Sequence, residues 1–211
     1  MASGRVLHNL RALAKLPSPG PAPAFTHIHI SRALLAIGAE GPIGRIELSR
    51  ELGLGEGAIR TIIRHLAQAR IVVTARGGCV LTKRGLSFYN SLRSKLSKPF
   101  LVDAKQLALD KVSAAVLIRG AGHLVKRGIE QRDAAIRAGA TGACTLVLRG
   151  GEFVMPMAEG EEWQLISVDS LVQEVKKSFS PRDDDVLTVV SAPYRGLAEH
   201  GAMAAALTLL E

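Results

Sequence analysis

Apolar residues recur at intervals of three and four from Ile28 onward, at Ile30, Ala33, Leu34 and Ile37, which is one stripe of an amphipathic helix. Gly38 and the Gly41-Pro42 pair predict its end. Residues 43–52 (IGRIELSREL) form a second, shorter amphipathic stretch with Ile46 and Leu52 inward. Gly53-Leu54-Gly55 reads as a tight turn. Ile59, Ile62, Ile63 and Leu66 then fall at i, i+3, i+4 and i+7, the apolar stripe of a third helix. After Ala69 the period drops toward two: the runs 71–74 (IVVT) and 79–82 (CVLT) flank Ala75-Arg76-Gly77-Gly78, a hairpin with a glycine turn. Lys83 opens another helix, with Leu86, Tyr89, Leu92 and Leu96 inward, ending before Ser97-Lys98-Pro99.

Residues 99–112 read as a linker, helical around Ala104 to Leu109. Beyond it the pattern predicts a strand at 113–120, a helix at 129–139, strands at 143–149 and 152–156 around Gly150-Gly151, a helix at 169–179, a strand at 185–193 and a helix at 196–210. That order, βαββαβ with a terminal helix, suggests an α+β sandwich of ferredoxin-like type, four strands under two or three helices. At the other end, PSPGPAP (17–23) is a breaker that closes an acid-free N-terminal piece, residues 1–24, carrying Arg5, Arg11 and Lys15. Its mix of basic and apolar residues faintly resembles a transit peptide, but it lacks the serines; a short helix or basic arm is the expectation. The domains expected are therefore 1–24, 25–98, a linker at 99–112, and 113–211.

The segment ELSRELGLGEGAIRTIIRHLAQARIV (47–72) followed by RGGCVLTKRG (76–85) resembles the winged helix-turn-helix regulators of bacteria and archaea. The resemblance implies a winged helix domain in which the helix carrying Ile59 to Leu66 enters the major groove of double-stranded DNA, while the glycine-tipped wing touches backbone or minor groove. Gly55 departs from the family, which usually places Ser or Thr there to cap the helix; glycine at an N-cap costs little. The chain as a whole resembles archaeal proteins of regulator architecture with an undefined C-terminal domain, which implies a homodimeric transcription factor.

Charge sharpens this division. Residues 1–98 hold 15 basic against 4 acidic side chains, and residues 99–211 hold 12 against 15, so only the first half has the electrostatics of a polyanion binder. Aromatic residues are scarce at 4%, which argues against single-strand binding by base stacking. No apolar run is long enough to span a membrane. Cys79 and Cys144 lie in different halves without metal-ligand spacing, so a reduced, cytoplasmic protein is expected.

On the third helix the positions opposite the isoleucines are Gly57, Arg60, Thr61, Arg64, His65 and Gln68. Arg and Gln read guanine and adenine edges, and Thr reaches a phosphate or a thymine methyl. Arg60, Thr61, Arg64 and Gln68 are the expected groove contacts, with Arg76, Lys83 and Arg84 on phosphates. The same letters satisfy a dinucleotide-loop pattern at Gly53, Gly55 and Ala58, but no buried strand precedes them and no acid follows between Glu56 and Asp103, as that chemistry requires.

In the second half Gln131, Arg132 and Asp133 open a helix that ends near Thr141, and Ser191, Tyr194 and Arg195 occupy a loop after a strand. Together they form a candidate pocket for a small anionic effector, Arg supplying a bidentate grip; an internal ion pair and helix cap is the competing explanation. His27 and His29 lack acidic or cysteine neighbours, Asp183 to Asp185 follow Pro181 as a solvated turn would, and His200 has no evident nucleophile beside it. No cofactor, metal or catalytic role is expected. Two other classes stay open: a metabolic enzyme fused to a regulatory winged helix, and a winged-helix module for protein contacts.

Overall fold

In the computed structural model of the protein, residues 2–15, 24–104, 107, 110–157, 164–165 and 169–210 are described. The proline-rich breaker at 17–23 and positions 105, 106, 108 and 109 of the expected linker helix lie outside them. The chain is a mixed α and β protein, helical at its N-terminal end and built on a sheet toward its C-terminus. It divides into two compact units, Met1–Ser94 with the last two residues, and Lys95–Leu209.

The first unit contains α1 (Ala2–Ala14), α2 (His27–Glu40), α3 (Arg45–Leu52), α4 (Glu56–Gln68), the hairpin β1 (Val72–Ala75) and β2 (Gly78–Leu81), and α5 (Lys83–Arg93). The basic N-terminal piece is no free arm: Val6, Leu7 and Leu10 of α1 are buried, and the helix packs on α2 and touches α4 and α5. Helix α2 runs past Gly38, because that glycine does not break the helix but admits the Tyr89 ring; a Cβ there would lie 2.4 Å from it. Thr26 caps its start, accepting from Ile28 N.

Two inward assignments fail for one reason, the phase of the stripe. Helix α3 begins at Arg45 and buries Leu48 and Leu52, so Ile46, roughly 200° round from Leu48, is exposed. Helix α5 buries Gly85, Tyr89 and Leu92, and Leu86 turns outward. The hairpin turn is two residues shorter than expected, pairing Ala75 with Gly78 across Arg76-Gly77. Ile43, in the connection between α2 and α3, joins it as a bridge through reciprocal backbone bonds with Cys79 of 3.2 and 3.0 Å.

The second unit is a six-stranded antiparallel sheet in the order β3-β4-β8-β5-β6-β7, comprising β3 (Phe100–Val102), β4 (Val112–Ile118), β5 (Gly142–Arg149), β6 (Glu152–Met155), β7 (Gln164–Leu165) and β8 (Val186–Ala192). Helix α7 (Asp169–Phe179) covers one face, where Leu171 and Val175 meet Leu117, Leu146, Leu187 and Val189. On the other lie α6 (Ile129–Arg137) and α8 (Arg195–Leu207), packed against β4, β5 and β8. Alanines and Gly201 let α8 approach closely; a Cβ at Gly201 would sit 2.9 Å from both Ala140 and Val190.

This corrects the ferredoxin-like expectation. Among the described residues the sheet has six strands in a three-layer arrangement, and its central pair is β8 and β5, the fourth and second strands of the βαββαβ run, where a ferredoxin-like sheet would centre on the first and third. The physical reason is burial: every residue of β8 is buried, as a strand covered on both faces and flanked on both edges must be. The expected linker also supplies an edge strand, Phe100 pairing with Ala115. Residues 95–97 belong to this unit as well, since Ser97 N donates to Leu117 O at 2.9 Å and Arg119 N to Lys95 O at 2.8 Å.

Candidate functional site

The corner between α3 and α4 is built from backbone. Gly53 takes the left-handed conformation (φ 67°) and its N–H closes α3 on Ser49 O, a position where a side chain would be strained. The Ser49 hydroxyl donates to the Leu54 carbonyl. Gly55 is the N-cap of α4 and offers no side-chain bond, so the glycine pair shapes the corner and Glu56 complements the helix N-terminus by charge. Beneath the corner sits Arg32, which is 3% exposed. Its Nη2 donates to Glu51 O at 2.6 Å and its Nη1 reaches Leu52 O at 3.5 Å, satisfying carbonyls that the end of α3 leaves open.

Helix α4 is held down by Ile59, Ile62 and Leu66, all buried. Arg60, Arg64 and Gln68 are exposed on its other side, and Thr61 is half-buried with its hydroxyl donating to Gly57 O at 3.1 Å. His65 does not join them. It is buried, edge-on to Phe25 at 5.5 Å, and its Nδ1 donates to the Leu13 carbonyl of α1 at 3.1 Å. One step of the helix separates it from Arg64, enough to turn it into the core.

Between α4 and the hairpin lies a cleft of about 380 Å³. Arg45 from the start of α3 and Arg60 from α4 line it together with Ile63, Thr74 and Cys79, and among the described residues no acid does so. Arg45 was not among the expected contacts; its signal in the sequence was only a basic residue opening a short helix. The Cys79 thiol is pushed above its ordinary pKa by burial, so this wall holds a neutral thiol. Arg76 is exposed at the hairpin tip and Lys83 in the first turn of α5. Arg84 departs from expectation: it lines a different cavity, between α1 and α5.

The expected effector pocket of the second unit does not assemble. Ser191 is fully buried within β8, 2.5 Å from the Ser113 hydroxyl. Gln131 is buried too, its Nε2 donating to Thr208 at 2.8 Å. The Thr141 hydroxyl is engaged by Asp110 at 2.7 Å, a bond that holds the Asp110 carboxyl below its ordinary pKa, with the Lys111 amide adding to it. Arg132 and Asp133 stand 3.8 Å apart and largely exposed, and Arg195 pairs with Glu199 at 2.8 Å. Tyr194 is exposed. The reason is that β8 runs through Ala192, leaving only Pro193 and Tyr194 before α8.

The three aspartates each have a structural partner. Asp183 accepts from Gly150 and Gly151 N at 3.0 and 3.1 Å, Asp184 pairs with His123 at 3.0 Å, and Asp185 pairs with Arg119 at 2.7 Å. Among the described residues no group of three His, Cys, Asp or Glu is placed to hold a metal, and no helix is long and apolar enough to cross a membrane.

Two family models match separate stretches of the chain. Residues 34–87 match the family model described as PH0730-like, N-terminal domain, and residues 109–209 match the domain of unknown function DUF4443. Among solved structures the chain is similar to the hypothetical protein PH0730 from Pyrococcus horikoshii OT3, with 27% identity and a TM-score of 0.67 over 85% of this chain and 91% of that one. No curated protein matches.

Proposed function

We propose that the protein is a DNA-binding transcriptional regulator whose first unit is a winged helix-turn-helix. In this reading α3 and α4 are the helix-turn-helix pair, α4 lies in the major groove, and the hairpin, extended by Ile43, is the wing. The observation that carries it is the cleft in which Arg60 of α4 and Arg45 of α3 face the hairpin with no acid among the described residues of its lining. Arg60, Arg64 and Gln68 supply hydrogen bonds to base edges or phosphates; Arg45, Arg76 and Lys83 contact the backbone. Thr61 is a lesser contact, since its hydroxyl is spent on its own helix. The molecule binds as a homodimer on paired half-sites, so that sedimentation of the operator complex is expected to give the mass of the duplex plus two chains of 22.4 kDa.

The test is affinity for genomic DNA fragments against salt concentration. The logarithm of the binding constant should fall linearly with the logarithm of salt, by about 0.9 for each phosphate neutralised. Arg64→Glu should weaken binding by roughly tenfold or more and flatten that slope by about one or more contacts, with an unchanged thermal melt because Arg64 is exposed. Binding that ignores salt, or an Arg64→Glu protein that binds as well as the parent, would refute the proposal.

A further inference from the structure

Besides the cleft beside α4, the first unit has a groove of about 930 Å³ between α1 and α5, a volume in the range of small-molecule sites. Its floor is apolar: Val6 and Ile71 are buried, Leu13 and Phe88 half-buried. Its rims are polar and exposed. Arg5 and Asn9 stand one helical turn apart on α1, and Arg84, Ser87 and Ser91 follow at i, i+3 and i+7 on α5. Neither Arg5 nor Arg84 has an ion-pair or hydrogen-bond partner among the described residues, and no acid lines the groove.

We infer that this groove binds an amphipathic organic anion, a carboxylate head held by Arg5 and Arg84 over an apolar body lying on Val6, Leu13, Ile71 and Phe88. Charge complementarity sets the head, because two unneutralised guanidiniums favour a carboxylate that accepts paired N–H bonds. The floor sets the body, because covering the apolar surface that the half-buried Leu13 and Phe88 still present to solvent rewards an apolar chain, which free phosphate and a nucleic-acid backbone lack. The groove is coupled to α4 through its lining: Ala69 and Ile71 follow that helix in the chain, and Leu13, in the floor, accepts the bond from His65 of α4. A ligand clamped between α1 and α5 therefore bears on the helix that presents Arg60 and Arg64, and its role as an effector rests on the DNA-binding reading above.

The experiment is calorimetric titration of the full chain with dodecanoate below its micellar concentration, beside dodecanol and inorganic phosphate. One saturable dodecanoate site is expected, with both controls weaker by about tenfold or more, the worth of one charge-assisted contact or of the apolar body. Arg5→Ala and Arg84→Ala should each lose roughly tenfold. Ser87→Trp, which fills the groove from its exposed rim, should abolish binding in a protein whose melt shows it folded. Dodecanoate binding that survives Ser87→Trp, or phosphate binding as tight as dodecanoate, would overturn the inference, as would no binding at all. In the same samples, salt-dependent DNA affinity without dodecanoate binding sinks the groove and leaves the regulator. Dodecanoate binding without DNA affinity sinks the effector role and leaves the site.

Discussion

Arg32 is the residue on which the corner of the first unit depends. Its guanidinium sits in a dry interior and supplies the donors for the carbonyls of Glu51 and Leu52, so removing it leaves buried acceptors unsatisfied. Arg32→Ala should cost about 3 kcal/mol in urea unfolding; a loss under a few tenths would show that water replaces it. His29 gives a pH signature. Its Nδ1 accepts from Thr26 N at 3.1 Å, and burial first, then Arg32 and His27, hold its pKa down from 6.5 to about 4. Between those values the unfolded chain binds a proton that the folded chain refuses, so this contribution is complete above pH 6.5 and is lost as pH falls toward 4. His29→Gln keeps the acceptor in the form a capping box prefers. Its melting temperature should fall less than the parent's between pH 7.5 and 5, and an equal fall would exclude His29 as the cause. Neither role was legible beforehand. An arginine inside the run ISRALLAI and a histidine at a helix start are visible in the sequence, but their partners depend on tertiary placement.

At the scale of elements, periodicity located the helices well and their facing less well. The stripe Ile59, Ile62, Leu66 is as the spacing predicts, whereas Ile46 and Leu86 face out because helix phase follows the first turn, and that turn is set by Gly44 and by Thr82, whose Oγ1 accepts from Gly85 N. The short β3 and β7 escaped detection because strands of three and two residues carry no measurable alternation. Of the side chains expected on the polar side of α4, Arg60, Arg64 and Gln68 are exposed and Thr61 is half-buried, since a polar residue opposite an apolar stripe turns toward solvent. The effector residues do not come together: Ser191 lies inside the predicted strand 185–193, and that strand is buried along its whole length as β8, so its hydroxyl is not offered to a loop. Gly57, in the first turn of α4, has open space where a Cβ would stand. Gly57→Ala should stabilise the protein by about 0.5–1 kcal/mol through the helix preference of alanine, read as a rise in melting temperature; a fall would place an unseen constraint on that turn.

The whole molecule is two units of different charge and different wiring. The excess of basic residues before position 98 was plain from composition, and the break at Ser94 and Lys95 lies close to the boundary that the Ser-Lys-Pro stretch suggested. Strand order was not plain, because β8 pairs with β4 and β5 across separations that local pattern does not encode. That wiring has a consequence for how the chain is made. In the first unit the hairpin closes over a few residues and the helices that follow one another touch, so it can assemble as it emerges from the ribosome. In the second, β4 and β5 never bond each other: each waits for Val186–Ala192, and α8 follows later still. Until nearly the last residues are synthesised, two apolar strands stand with open edges, the state most prone to aggregation. A chain cut short before β8 should therefore yield a folded first unit trailing a sticky remnant, and the cell's quality control would meet this protein chiefly through its final quarter-hundred residues, roughly the span from β8 onward.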